Sequence, residues 1–234
     1  MSMPQPSSAS LDHPDYWWYR ARAELLRSAL ADAAGRPRRL LDVGSADGPS
    51  VEWLTADHRV AIDLDPRGLT AGGVCGSVLA LPFSDGVFDV VSAFDVLEHC
   101  DPESGALAEM TRVLAPRGRL LLSVPAYQWA WTDFDVAAGH VRRYTRSRLV
   151  EAVESAGLTV VRVSHIFAST LPAFVAERLA RRVRPRPSGD RPALPEVHPL
   201  VESGLLAVCR AESRLVRRHD LPFGSSVVLA AVKG

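Results

Sequence analysis

Short apolar runs alternating with helical stretches and glycine turns recur along this chain, and that alternation most narrows the folds open to it. The runs are Leu40–Val43, Val60–Ile62, Val74–Val78, Val87–Ala93, Arg119–Val124, Thr159–His165 and Val227–Val232. Between them lie stretches with helical spacing. Trp18, Ala21, Leu25 and Ala29 recur at steps of three and four until Gly35 and Pro37 stop them. Leu107, Met110 and Leu114 line a second helix, which Asp101 caps, Pro102 opens and Pro116-Arg117-Gly118 ends. A third covers Thr145–Ala156 and stops at Gly157. Strands alternating with helices build a parallel sheet covered on both faces, and Arg119–Val124 is too apolar to sit at its edge.

The 234 residues suit one α/β domain. Residues 1–12 are rich in Pro and Ser and are expected to be disordered, leaving 13–234 as the single domain. Residues 166–222, before the last strand, are too long for a hairpin loop. They hold two helical stretches, Phe167–Arg182 and Leu200–Arg218, joined by a Pro/Arg-rich linker from Pro185 to Pro199, and are expected to form an inserted helical lid. Its apolar residues, Phe167, Leu171, Phe174, Val175, Leu205, Leu206 and Val208, admit a hydrophobic acceptor and equally fit packing of two helices on the sheet.

Lys and Arg together number 27, as do Asp and Glu, so the basic excess of a dedicated nucleic-acid binder is missing. Cys75, Cys100 and Cys209 form no CxxC pair, which argues against a disulfide framework and a zinc knuckle. The start, MSMPQPSSAS, lacks the basic and apolar regions of a secretory signal. No apolar run reaches the roughly 18 residues of a membrane span. The expectation is a cytoplasmic protein, monomer or homodimer, without stable membrane insertion and with a small-molecule partner.

The first strand runs into Gly44-Ser45-Ala46-Asp47-Gly48, which is expected to open a helix, and the second ends in Asp63. Glycines there let a ligand approach the backbone and offer amide donors, while a carboxylate about 20 residues on accepts from ribose hydroxyls. Alone, the Gly-x-Ala-x-Gly turn fits a structural turn as well as a ligand loop.

The segment Leu40–Gly48 resembles the first motif of class I S-adenosylmethionine-dependent methyltransferases, and Val60–Asp65 their second-strand motif. Gly76–Phe83 with Phe88–Val91, then Val96-Leu97-Glu98-His99 and Arg112–Gly118, continue the pattern in order over about residues 15–165 plus the last strand. Tyr16–Arg20 and Gly139-His140-Val141-Arg142-Arg143-Tyr144 resemble a bacterial subgroup of the same enzymes. The resemblance implies a Rossmann-like, doubly wound, mostly parallel seven-stranded sheet with an antiparallel last strand, and S-adenosylmethionine as cofactor with S-adenosylhomocysteine as product. It places Asp42, Gly44, Ser45, Ala46 and Gly48 at the methionine end, Asp63 and Leu64 at the ribose, Ser77 and Val78 at the adenine, and Phe94 at the pocket's end. Two positions depart from the pattern: Ala46 replaces the middle glycine, and Ser77 replaces the acidic residue that often meets the adenine amino group.

His99 fits either a water-mediated contact to the methionine carboxylate or a packed histidine fixing its loop. Glu98-His99-Cys100-Asp101 has no second cluster at ligand spacing, so no metal is expected. The aromatic segment Pro125–Tyr144 leaves a strand at the sheet's carboxyl edge, where open α/β sheets bind ligands. Its His140 is the candidate base, since imidazole exchanges a proton near neutral pH, with Asp135 as second base or as the group that orients it. Arg142 and Arg143 are candidates to hold an acceptor carboxylate or phosphate, or else one of them pairs with Asp133 or Asp135 and only shapes the loop. Tyr19, Tyr127, Trp131 and Tyr144 complete the candidate acceptor side. Two other readings stay open: a cofactor-binding protein of this fold that does not methylate, and, disfavoured by the incomplete glycine turn, an NAD-dependent oxidoreductase.

Overall fold

The structure, a computed structural model, describes residue 13 and residues 15–44, 48–183 and 197–234. The expected tail 1–12, the turn residues Ser45, Ala46 and Asp47, and most of the Pro/Arg linker lie outside the described residues.

Helix α1 (Trp17–Ala34) leads to strands β1 (Arg39–Val43), β2 (His58–Asp63), β3 (Val74–Cys75) and β4 (Phe88–Phe94). Helix α2 (Glu103–Val113) runs directly into β5 (Leu114–Pro125). After α3 (Asp133–Ala137) and α4 (Arg146–Ser155) come β6 (Leu158–Ile166), α5 (Leu171–Val183), α6 (Pro199–Val216) and β7 (Ser226–Lys233). The seven strands form one sheet in the order β3-β2-β1-β4-β5-β7-β6, parallel except that β7 runs antiparallel to both its neighbours. The expected strand number and the antiparallel last strand are both present.

The strands are apolar because both faces are covered. Leu40 faces a core shared with Leu25, Leu26 and Leu30 of α1 and Cys209 and Val216 of α6. Its neighbour Leu41 faces the opposite core, with Leu107 and Met110 of α2 and Leu149 and Val153 of α4. Lys233, the one lysine of the chain, donates from Nζ to the carbonyls of Thr111 (2.8 Å) and Leu114 (2.7 Å), holding the carboxyl end of α2 to the end of β7.

Four local expectations change. The glycine turn opens no α-helix among the described residues: a single 3-10 turn, Pro49–Val51, precedes β2. Strand β3 stops at Cys75 rather than Val78, since it has one neighbour and Gly76 N donates back to Asp63 O at 2.9 Å. Asp101 does not cap α2: Pro102 takes that position, and the Asp101 carboxylate pairs with Arg142 at 3.1 Å. Pro116–Gly118 lies inside β5, where the pairing with β4 shifts register between Phe88 and Val90.

Gly44, directly after β1, has φ +74°, and a Cβ there would meet Val96 Cγ2 at 2.4 Å. Gly44→Ala therefore incurs backbone strain and a clash between the two strand ends, at a cost of about 1–3 kcal/mol. Urea denaturation should show that loss, and a variant as stable as the parent would contradict the close approach.

Candidate active site

The order of the sheet reverses at β1, whose neighbours β2 and β4 lead away in opposite directions. Such a switch point leaves a crevice beyond the carboxyl ends of the strands. Gly44 follows β1, Asp63 ends β2 and Asp95-Val96 follow β4, so these residues lie at strand ends beside that switch point.

Asp63 is half-buried, and its Oδ1 accepts from Asp65 N at 2.8 Å. Its carboxyl pKa is raised, first by burial and then by the Asp65 and Asp42 charges, against the Asp65 amide bond. No cation pairs with it among the described residues, whereas Asp65 is committed to Arg67. Asp63 is thus a carboxylate short of donors at the place where ribose hydroxyls are expected. Leu64 beside it is 67% exposed. Ser77 and Val78 are half-buried, and Ser77 Oγ accepts from Leu79 N at 3.2 Å.

Two other cofactor candidates are placed differently. Asp42 is fully buried, bonded to Arg59 (3.0 Å) and Ser92 Oγ (2.9 Å), and so braces β1 against β2 and β4. Phe94 is buried on the α1 side and stacks on Trp53 with centroids 6.3 Å apart.

The segment after β5 closes on itself. Tyr127 N donates to Tyr144 O (2.7 Å), and Tyr144 N to Pro125 O (2.9 Å). Inside this loop Asp135 is fully buried. Its Oδ1 accepts from Arg143 Nε (2.7 Å) and faces His140 Nδ1 at 2.9 Å, while Oδ2 accepts from Thr132 N (3.0 Å). Burial works against its ionisation, but the His140 bond and the Arg143 charge outweigh it and hold the Asp135 carboxyl below the ordinary range.

Arg142 donates to the carbonyl of Cys100, and its guanidinium stands 3.8 Å from Glu103. Arg143 also donates to Ala126 O at 3.1 Å. Tyr144 is fully buried, its hydroxyl donating to Glu103 Oε2 at 2.5 Å. Arg142 and Tyr144 therefore brace the loop to the start of α2, whereas Arg143 pairs with Asp135 and shapes the loop from within, the alternative left open for one of the two arginines. Tyr127 stacks between Trp129 (5.6 Å) and His165 (5.8 Å). Trp131 is half-buried, and Tyr19 meets Trp18 edge-on at 5.1 Å.

His99 and His140 meet ring to ring at 4.8 Å, and His99 Nδ1 lies 3.1 Å from Gly139 O. Crowding at the crevice and the neighbouring His140 lower the His99 pKa. Sequence reasoning missed Arg22 of α1. It is buried, donates to Ser123 Oγ (2.7 Å) and pairs with Asp95 (2.8 Å), tying the first helix to the ends of β4 and β5. An arginine on an otherwise apolar helical face was the available signal.

Fold and crevice define the class I S-adenosylmethionine-dependent methyltransferases. Residues 16–163 match the family model described as "Methyltransferase domain", and the chain belongs to that family. It is 34% identical over 146 residues to a demethylmenaquinone methyltransferase of Beutenbergia cavernae, covering 56% of this chain and 59% of that protein. A demethylmenaquinone methyltransferase of Mycobacterium tuberculosis is 36% identical over 116 residues, covering 46% of this chain and 47% of its own, so the chain spans about half the length of the curated relatives it matches. Among solved structures it resembles a 1,6-didemethyltoxoflavin-N1-methyltransferase of Burkholderia thailandensis, with TM-score 0.57, 19% identity, and coverage of 100% of this chain and 93% of that one.

The depressed Asp135 pKa fixes the sign of a pH effect. A group whose folded pKa is lowered stabilises above its unfolded pKa of about 3.9, and that contribution is lost as pH falls through the folded value. Asp135→Ala leaves Arg143 buried without its anion and should cost about 3–5 kcal/mol at pH 7. Denaturation curves for the two proteins should converge below pH 4, and a penalty independent of pH would contradict the assignment.

Proposed function

We propose that the chain transfers the methyl group of S-adenosylmethionine to a small, ring-bearing acceptor. The observation that carries this is Asp63: a half-buried carboxylate without a cation, at the end of β2 beside the switch-point crevice. An adenosine ribose supplies the two hydroxyl donors such a group lacks. The aromatic residues Tyr127, Trp129 and Trp131, on the segment that leaves the end of β5, support an acceptor that stacks. So do the relatives that act, by name, on demethylmenaquinone and 1,6-didemethyltoxoflavin.

In the reaction, an acceptor lone pair forms the new bond to carbon while the carbon–sulfur bond breaks toward sulfur. The sulfonium brings the reactivity, and the protein aligns the acceptor, which is worth about 7–11 kcal/mol. His140, oriented by Asp135 through Nδ1, is the group assigned to relieve an acceptor hydroxyl of its proton. Residues 166–222 are proposed to cover the acceptor side.

Asp63→Ala should weaken S-adenosylhomocysteine binding at least tenfold by calorimetry, and unchanged affinity would remove Asp63 from the site. S-adenosylhomocysteine should also raise the melting temperature more than NAD does, the reverse order favouring an oxidoreductase. His140→Ala should cut turnover strongly while leaving cofactor affinity nearly unchanged, since it acts on the transition state. Equal losses in both would place His140 in the cofactor site instead.

A further inference from the structure

Glu98 is the middle residue of the 3-10 turn Leu97–His99 that follows β4, fully buried, and both its carboxylate oxygens lack a hydrogen-bond partner. A buried carboxyl with neither oxygen satisfied is costly, and native proteins keep few of them. One ligand atom each from Glu98, His99 and His140 lies within 4.8 Å of the others. Glu98 and His99 are neighbours in sequence, whereas His140 comes from the closed segment after β5, so folding supplies the ligand that spacing along the chain does not.

The two imidazoles are held as ligating histidines are held. His140 Nδ1 is 2.9 Å from the Asp135 carboxylate, and His99 Nδ1 is 3.1 Å from the Gly139 carbonyl. Both partners are acceptors, so each Nδ1 carries the proton and each Nε2 keeps its lone pair. Such outer contacts to a carboxylate or a carbonyl fix the tautomer and strengthen the ligand.

We propose that Glu98, His99 and His140 bind a divalent first-row transition ion, of which zinc is the type, at the rim of the crevice. Two nitrogens and one carboxylate oxygen suit such an ion better than magnesium or calcium, which prefer oxygen donors alone. Ligand atoms around one tetrahedral ion stand about 3.3 Å apart, so the cluster has to close by at most about 1.5 Å. His99, the exposed member of the three, would make most of that movement, and its 3.1 Å contact to the Gly139 carbonyl would shift with it. Three protein ligands leave a fourth position open, as in catalytic rather than structural zinc sites. There an acceptor hydroxyl would bind and lose its proton to solvent water more readily, and His140, with its Nε2 lone pair on the ion, would then serve as a ligand in place of the direct base. This last step rests on the methyltransferase reading, whereas binding of the ion does not.

The test uses full-length, untagged, chelator-treated protein titrated with cobalt(II) and with zinc, without cofactor. The expected result is one ion per chain, with visible cobalt absorption bands of a low-coordinate site that zinc displaces. His99→Ala, His140→Ala and Glu98→Gln should each weaken binding at least tenfold, while His58→Ala on the distant start of β2 should not. Should Glu98→Gln fail to fold by circular dichroism, the exposed-site variant His99→Ala decides alone. Absence of binding, or affinity unchanged in His99→Ala, overturns the site. S-adenosylhomocysteine affinity, measured separately on the same metal-free protein, reports on the methyltransferase reading, so either conclusion can fail without the other.

Discussion

The buried charge of Asp135 is the interaction on which the acceptor side depends. A carboxylate withdrawn from water costs several kcal/mol unless cations and donors replace its hydration. Arg143, His140 and the Thr132 amide do so here, with Arg178 3.7 Å away. Each replacement also fixes something else. Arg143 reaches the Ala126 carbonyl, which holds the loop to the end of β5. His140 is turned so that its other nitrogen is free, and Thr132 starts α3 through a reciprocal cap with Asp135. Removing this one charge would release the loop's closure, the histidine's orientation and the short helix together.

The cofactor side is built on a different principle. Between β1 and β4 the described connections contain 3-10 turns and no α-helix, so that half of the crevice is held by turns and strand ends. Gly44 N donates to Ile62 O at 2.8 Å, and Gly44 itself packs against Val96. Rigidity there comes from backbone pairing and from Asp42, whose buried carboxylate joins Arg59 of β2 to Ser92 of β4. Helix α1 reaches over the same strand ends through Arg22, which meets Asp95 and Ser123 at once.

Seven strands, their order of appearance and the placement of Gly44 and Asp63 at strand ends were legible in the sequence because they depend on local pattern: apolar runs, glycine turns and a carboxylate at a strand end. The roles of Asp42, Arg142, Arg143 and Tyr144 were harder to read because each is decided by a partner remote in the chain. Arg142 looks like an anion holder until Asp101 and the Cys100 carbonyl are placed beside it. Tyr144 looks like an acceptor-side aromatic until its ring is buried and its hydroxyl reaches Glu103. The motif also forecasts a helix after the glycine turn, where the described residues hold one 3-10 turn, Pro49–Val51.

The carboxylates of the crevice divide by what surrounds them, and the division points to where ligands belong. Asp135 and Asp42 are buried, and each has a cation within hydrogen-bond distance. They are internally complete and have no use for a ligand. Asp63 and Glu98 are withdrawn from water without a paired cation among the described residues, and burial raises the pKa of both. A chain that supplies arginines freely elsewhere leaves these two carboxyls short of donors. Asp63 lies where hydroxyls of a bound nucleoside would complete it, and Glu98 lies beside two imidazoles where a cation would. Each site is thus set by an incomplete electrostatic environment, one at the end of β2 and one just beyond the end of β4. In the sheet β1 lies between those two strands, so both sites open at the same switch-point crevice.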